Sequence, residues 1–249
     1  MNKNQGNIKI YIMDDYEQMS IQAAAIVAEQ INRKPDSVIG FATGSTPVGM
    51  YKELIKLNKA GKLSFSGIIA FNLDEYFPIK KSNAQSYDYF MKDNLFNHVN
   101  IDKSKLNIPD GEATDAQAEC IAYEGKIKAS GGIDLQILGM GNNGHIGFNE
   151  PADAFTNMTN CITLDKSTIE ANARFFQSVN EVPIKALTMG IKTIMLARKI
   201  VLLVNGEKKA KILKDSLLGN ITPKVPASAL QLHQNVVAVV DKEAGKYLG

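Results

Sequence analysis

Only two cysteines, three histidines and three arginines occur in this chain of 249 residues, and each scarcity excludes a class of function. Cys120 and Cys161 have no metal-ligand spacing, and no secretory context accompanies them, so they read as reduced thiols. The sequence contains no Cys-x-x-Cys, no His-x-x-x-His and no carboxylate-rich calcium loop, so no metal is expected. The arginines are Arg33, Arg174 and Arg198; the lysines are scattered, and the formal net charge is +2. That balance argues against a nucleic-acid or membrane-surface partner. No apolar run reaches membrane-spanning length and no apolar h-region follows the first six residues, so a cytoplasmic protein is expected.

What the chain does have is alternation. Short apolar runs at 8–13, 37–42, 68–73, 133–140, 161–164, 186–189, 200–204 and 235–240 read as strands. Between them, 15–32, 47–59, 82–98, 114–129, 166–174, 192–197 and 208–218 read as helices. This predicts an α/β fold with a mainly parallel sheet and helices on both faces. The runs at 133–140, 200–204 and 236–240 lack in/out alternation, as strands covered on both faces do. No repeat, low-complexity tract or linker divides the chain, so residues 1–249 are expected to form a single domain. Ligands of such sheets bind beyond the carboxyl ends of the strands, and the chemically distinctive residues follow strands here.

The stretch Gly139-Met140-Gly141-Asn142-Asn143-Gly144-His145-Ile146-Gly147-Phe148-Asn149-Glu150-Pro151 is the most informative. Glycines at 139, 141 and 144 allow positive φ and close approach to a ligand. An imidazole at His145 exchanges protons near neutrality, and Glu150 can orient it. After the second strand, Thr43-Gly44-Ser45-Thr46-Pro47 is neither a Walker A loop nor a Gly-x-Gly-x-x-Gly turn. With Thr46 as N-cap and Pro47 in the first turn it suits a single phosphate group, although a capped helix without ligand explains it too. After the third strand come Asp74 and Glu75, adjacent acids whose side chains diverge. One can face a site while the other binds scaffold; a solvated acidic turn is the alternative. Arg174, beside Phe175 and Phe176, and Lys209, after the strand at 200–204, are further phosphate candidates. His98 and His233 read as structural.

Taken together and in this order, these segments resemble the glucosamine-6-phosphate deaminases of the glucosamine/galactosamine-6-phosphate isomerase family, over nearly the whole chain. The resemblance implies a modified doubly wound, Rossmann-like fold and conversion of glucosamine 6-phosphate and water to fructose 6-phosphate and ammonia, a step of amino-sugar catabolism, without metal or organic cofactor. It also implies roles. Asp74 would carry the C2 proton to C1, His145 would open the pyranose ring, and Glu150 would assist it. Thr43, Gly44, Ser45, Thr46, Arg174 and Lys209 would hold the phosphate. Many members have aspartate where this chain has Asn143, which cannot ionise, so Asn143 is expected to orient Glu150 and His145 by hydrogen bonds. Allosterically activated hexameric relatives carry basic residues after Asn-Glu-Pro; residues 152–160 contain no lysine or arginine, and the chain ends soon after its last strand. A non-allosteric enzyme is therefore expected, as a monomer rather than a homo-oligomer. The alternatives are 6-phosphogluconolactonase, which shares the fold and a similar histidine loop, and a non-catalytic sugar-phosphate-sensing module.

Overall fold

Strands β10 (Ile200–Val204) and β11 (Val236–Asp241) are buried at every position, because β-branched and aliphatic side chains cover both of their faces. The computed structural model describes residues 2–165, 169 and 181–248; the helix expected at 166–174 lies outside them except for residue 169, and Arg174 lies outside them. Among the described residues the main sheet has the order β1-β2-β11-β10-β7-β3-β4-β6. Its remaining strands are β1 (Asn2–Gln5), β2 (Ile8–Met13), β3 (Val38–Phe41), β4 (Ile69–Asn72), β6 (Leu106–Asn107) and β7 (Leu135–Gly139). Seven of the eight run parallel, and only β1 pairs antiparallel, on the edge beside β2. From β3 the chain moves outward through β4 to β6, then returns to β7 and moves the other way through β10 to β11. The reversal between β3 and β7 is the topological switch point where a doubly wound sheet opens a crevice.

The helices start where capping chemistry allows. Asp15 caps α1 (Tyr16–Arg33) by accepting the Gln18 N–H at 2.8 Å, and Ser86 caps α3 (Tyr87–Asn94) through Tyr89. The helix expected over 82–98 is therefore shorter: residues 82–86 form a turn ahead of this cap, and a 3-10 turn follows at Phe96–His98. Helix α4 spans Ala116–Ala129, α5 Ile191–Met195, α6 Ala210–Leu218 and α7 Lys242–Gly245. Helix α2 (Val48–Lys59) corrects one expectation, because its N-cap is Pro47 and not Thr46, and no side chain of the N-cap residue bonds its first turn. The Thr46 hydroxyl instead donates to Asn205 Oδ1 at 2.7 Å. The Tyr16 hydroxyl accepts the Gly49 N–H at 2.8 Å, taking over the capping role.

A second, three-stranded antiparallel sheet contains the strands expected at 161–164 and 186–189, shifted by one residue, and a third strand that the apolar pattern did not show. It has the order β5-β9-β8, with β5 at Asp74–Phe77, β8 at Asn160–Thr163 and β9 at Lys185–Thr188. Asp74 and Glu75 thus lie in a strand, opposite Thr188 and Leu187, and not in a solvated turn. The two sheets meet at Leu73, whose N–H donates to Phe41 O at 2.9 Å and whose carbonyl accepts the Met189 N–H at 3.0 Å.

Candidate active site

The carboxyl ends of β3, β4, β7 and β10 open into one cavity of about 690 Å³. Thr43, Gly44, Ser45, Thr46, Asp74, Asn143, His145 and Lys209 all line it. Glu150 stands behind this wall, against Asn143 and His145.

Asp74 is 5 % exposed, and its Oδ1 is buried without a hydrogen-bond partner. Burial pushes its carboxyl well above the ordinary carboxylate range, and the neighbouring Glu75 adds to the effect. Glu75 faces the other way. Its Oε1 accepts the N–H groups of Tyr76 and Tyr87, each at 2.8 Å, and its Oε2 accepts that of Asp88 at 2.9 Å. It thereby satisfies orphan donors at the start of α3. Burial still raises Glu75 to about 7, against the opposing pull of those three N–H groups.

The histidine loop is a tight arch. Gly141 donates its N–H to His145 O at 2.9 Å, and Gly144 donates to Gly141 O at 3.1 Å. Its φ of +84° makes glycine the fitting residue at 144. Gly141 has no positive φ and is needed for another reason: a Cβ there would lie 2.3 Å from the His145 ring. Gly139 has neither a positive φ nor a close neighbour, so the flexibility expected of it is not used. His145 Nδ1 lies 3.2 Å from Glu150 Oε1 and 3.3 Å from Oε2. Asn143 closes a triangle: its Nδ2 donates to Glu150 Oε2 at 2.6 Å, and its Oδ1 accepts the His145 N–H at 3.1 Å. His145 itself also lines the cavity. Asn149 holds the arch from below through bonds to Ile146 O at 2.8 Å and Met189 O at 2.9 Å. It also accepts a bond from the Thr156 hydroxyl, which in turn receives the Ile191 N–H at 2.9 Å. The segment after Asn-Glu-Pro is thus tied to the scaffold at residue 156.

At the other end of the cavity, the N–H groups of Gly44, Ser45 and Thr46 have no acceptor among the described residues. Gly44 has φ +97°. Lys209 ends the turn that opens with Gly206, whose N–H donates to both Asp241 carboxylate oxygens at 3.0 and 3.1 Å. Its ammonium pairs with no carboxylate among the described residues, and burial lowers its pKa, with Asp241 opposing the shift. Unpaired N–H groups beside a desolvated cation are the kind of arrangement that can hold an anion.

The remaining sequence candidates separate cleanly. His233 Nε2 donates to Ala197 O at 2.7 Å and its Nδ1 accepts the Asn235 N–H at 3.0 Å, so it is structural. His98 binds the Asp93 carbonyl on the surface. Cys120 and Cys161 are free thiols, both raised by burial. Sequence reasoning missed the aromatic wall: Tyr76, Tyr87, Phe90 and Phe148 all line the cavity. Only the place of Tyr76 and Phe148 within the two motifs hinted at it. No helix of the described residues is long and apolar enough to cross a membrane.

The sequence profile of the family described as glucosamine-6-phosphate isomerases/6-phosphogluconolactonase matches residues 14–239. A glucosamine-6-phosphate deaminase of Clostridium botulinum (strain Langeland / NCTC 10281 / Type F) is 53% identical over 241 residues, covering 97% of this chain and 99% of that protein. The solved structure of a monomeric glucosamine-6-phosphate deaminase superposes with a TM-score of 0.93 at 45% identity, covering 95% of this chain and 98% of that one. The 6-phosphogluconolactonase of Thermotoga maritima superposes with a TM-score of 0.76 at 20% identity, covering 94% and 100% of the two chains; at that identity the likeness concerns the fold alone.

Proposed function

Because the chain belongs to the family of glucosamine-6-phosphate isomerases and 6-phosphogluconolactonases, we propose that it converts glucosamine 6-phosphate and water to fructose 6-phosphate and ammonia. Residues 1–249 act as one domain, as a cytoplasmic monomer with Michaelian kinetics. The observation that carries this reading is Asp74, a buried carboxylate that lines the same cavity as His145 and has no donor on its Oδ1. A structural carboxylate would be satisfied by donors, as Glu75 is; a base that must take a proton from carbon keeps an oxygen free.

In the proposed cycle the phosphate rests on the N–H groups of residues 44–46 and on Lys209, with Arg174 as a further cation. This fixes C6 and spends binding energy on orienting C1 and C2. His145, oriented by Glu150 and Asn143, moves the anomeric hydroxyl proton to the ring oxygen and frees the C1 aldehyde. Asp74 takes the C2 proton to give an enolamine and returns it to C1, leaving a protonated imine at C2. Water adds to that imine and ammonia departs, leaving the C2 ketone.

The test is ammonia release and fructose 6-phosphate formation from glucosamine 6-phosphate by wild type and Asp74→Asn. Equal yields are expected from the wild type, with a loss of about 10²–10⁴-fold in the variant. A folded wild type that releases no ammonia but opens 6-phosphogluconolactone would overturn the reading.

A further inference from the structure

The backbone of the loop at residues 43–46 is tied to a helix that does not border the cavity. Tyr16 opens α1, one position after the Asp15 cap. Its hydroxyl donates to Ser45 O at 3.0 Å and, bifurcated, to Thr46 O at 3.1 Å, and it accepts the Gly49 N–H at 2.8 Å. One hydroxyl thus joins two consecutive loop carbonyls to an orphan N–H in the first turn of α2. The close approach depends on glycine: a Cβ at Gly49 would lie 2.2 Å from Ser20 Oγ and 3.0 Å from Tyr16 Cε1. The Tyr16 ring packs against the main core. A phenylalanine would keep that packing, so packing alone does not call for the hydroxyl.

The loop needs such a tie. Gly44 has open space where a side chain would sit and a left-handed backbone, so packing at that position does not hold the turn. The Ser45 carbonyl and the Thr46 N–H belong to one planar trans peptide and point in opposite directions. Holding the carbonyl on Tyr16 therefore aims the N–H away from Tyr16, which is not among the cavity-lining residues, whereas Ser45 and Thr46 are. A second tie meets the same residue: the Thr46 hydroxyl donates to Asn205 Oδ1 at 2.7 Å, at the strand end that leads into the Lys209 turn.

We propose that Tyr16 is a positioning residue: it keeps the loop at 43–46, the phosphate cradle, in its anion-binding form before the anion arrives, and so sets phosphate affinity without touching the ligand. This rests on the sugar-phosphate reading of the cavity, but its main readout does not depend on turnover.

Inorganic phosphate binding by calorimetry, steady-state kinetics with glucosamine 6-phosphate and hydrogen exchange at residues 44–49 are compared for wild type, Tyr16→Phe and Asp115→Ala. Asp115 caps α4 by accepting the N–H groups of Gln117 and Ala118 at 2.8 and 3.0 Å and does not line the cavity, so its loss controls for stability alone. In Tyr16→Phe the phosphate Kd and the KM should each rise about fivefold, as when only about a fifth of the molecules hold the competent loop. The kcat should stay within about twofold. Exchange at residues 44–49 should quicken and be slowed again by saturating phosphate. Asp115→Ala should lower the thermal midpoint and leave Kd and KM at their wild-type values. Wild-type phosphate affinity in Tyr16→Phe, a fall in its kcat at unchanged KM, or an equal loss of affinity in Asp115→Ala would overturn the proposal. A wild type that binds phosphate without releasing ammonia defeats the deaminase reading and leaves the phosphate measurements to decide this one.

Discussion

Asp74 and Glu75 share a peptide bond and a buried strand, yet Glu75 accepts three backbone N–H groups while Oδ1 of Asp74 accepts none. Strand geometry sends adjacent side chains to opposite faces, so one acid anchors α3 and the other looks into the cavity. The anchored helix also places Tyr87 and Phe90 on the cavity that Asp74 lines.

Glu75 should make stability depend on pH. Its ordinary value of 4.5 rises to about 7 in the folded protein, so the fold retains a proton that the unfolded chain has released. The resulting stabilisation is complete below the unfolded value and is lost as pH rises through the folded one. Between pH 5 and pH 8 urea midpoints should fall, with a contribution from Glu75 on the order of 3 kcal/mol. Glu75→Gln should be less stable at pH 5, because its amide N–H meets the N–H of Asp88, but its midpoint should depend less on pH. An equal slope in the variant and the wild type would show that the three N–H donors keep Glu75 ionised throughout.

The same two residues show what was legible in the sequence and what was not. The parallel strands other than the two-residue β6 could be read because double-sided burial demands continuous aliphatic runs; β10 spans the residues expected, 200–204. Strand β5 reads Asp-Glu-Tyr-Phe and has no such signature. Its backbone is satisfied by β9, more than a hundred residues away, which no local pattern encodes. The motif residues Thr43, Asp74, His145 and Lys209 converge on one cavity because each follows a strand whose end lies near the switch point. Thr46 was misread because its hydroxyl found Asn205, a partner supplied by a different loop. Tyr87 falls within the helix expected over 82–98, and nothing local shows that this helix borders the cavity.

Asn143→Asp should keep activity and change its pH dependence. Asn143 Nδ2 now donates to Glu150 Oε2 at 2.6 Å; an aspartate there must share a proton with Glu150 or repel it. The added negative charge favours protonated forms of the loop, so the pH–rate profile should move to higher pH by about one unit. A superimposable profile would remove Asn143 from the proton relay.

Lys209→Met should act on binding. The lysine stem and its burial are retained while the ammonium is lost, and a charge-assisted bond contributes about 1.5–3 kcal/mol. KM should therefore rise by roughly 10–100-fold, with inorganic phosphate inhibition weakened in parallel. Because the cradle also fixes the far end of the sugar, kcat should fall by a smaller factor. A large fall in kcat at unchanged KM would place the lysine at the chemistry rather than at the phosphate.

Gly141→Ala tests how tightly the histidine loop is built. The added Cβ would lie 2.3 Å from Cε1, 2.4 Å from Nε2 and 2.6 Å from Nδ1 of His145, distances no relaxed contact tolerates. Gly141 has ordinary negative φ, so its backbone accepts alanine and the strain falls on the imidazole, which must tilt away from Glu150. His145 is held there by contacts of 3.2 and 3.3 Å, and displacement by about 1 Å costs catalysis on the order of 10²-fold. Ring opening should slow by that amount, whereas phosphate binding and the unfolding midpoint should stay near wild type, because the cradle and the core strands are untouched. Supplying the substrate as its open-chain form in rapid single-turnover experiments should recover most of the rate. A variant with wild-type kcat would mean that the imidazole has room to move and that its position over Gly141 is not what catalysis requires.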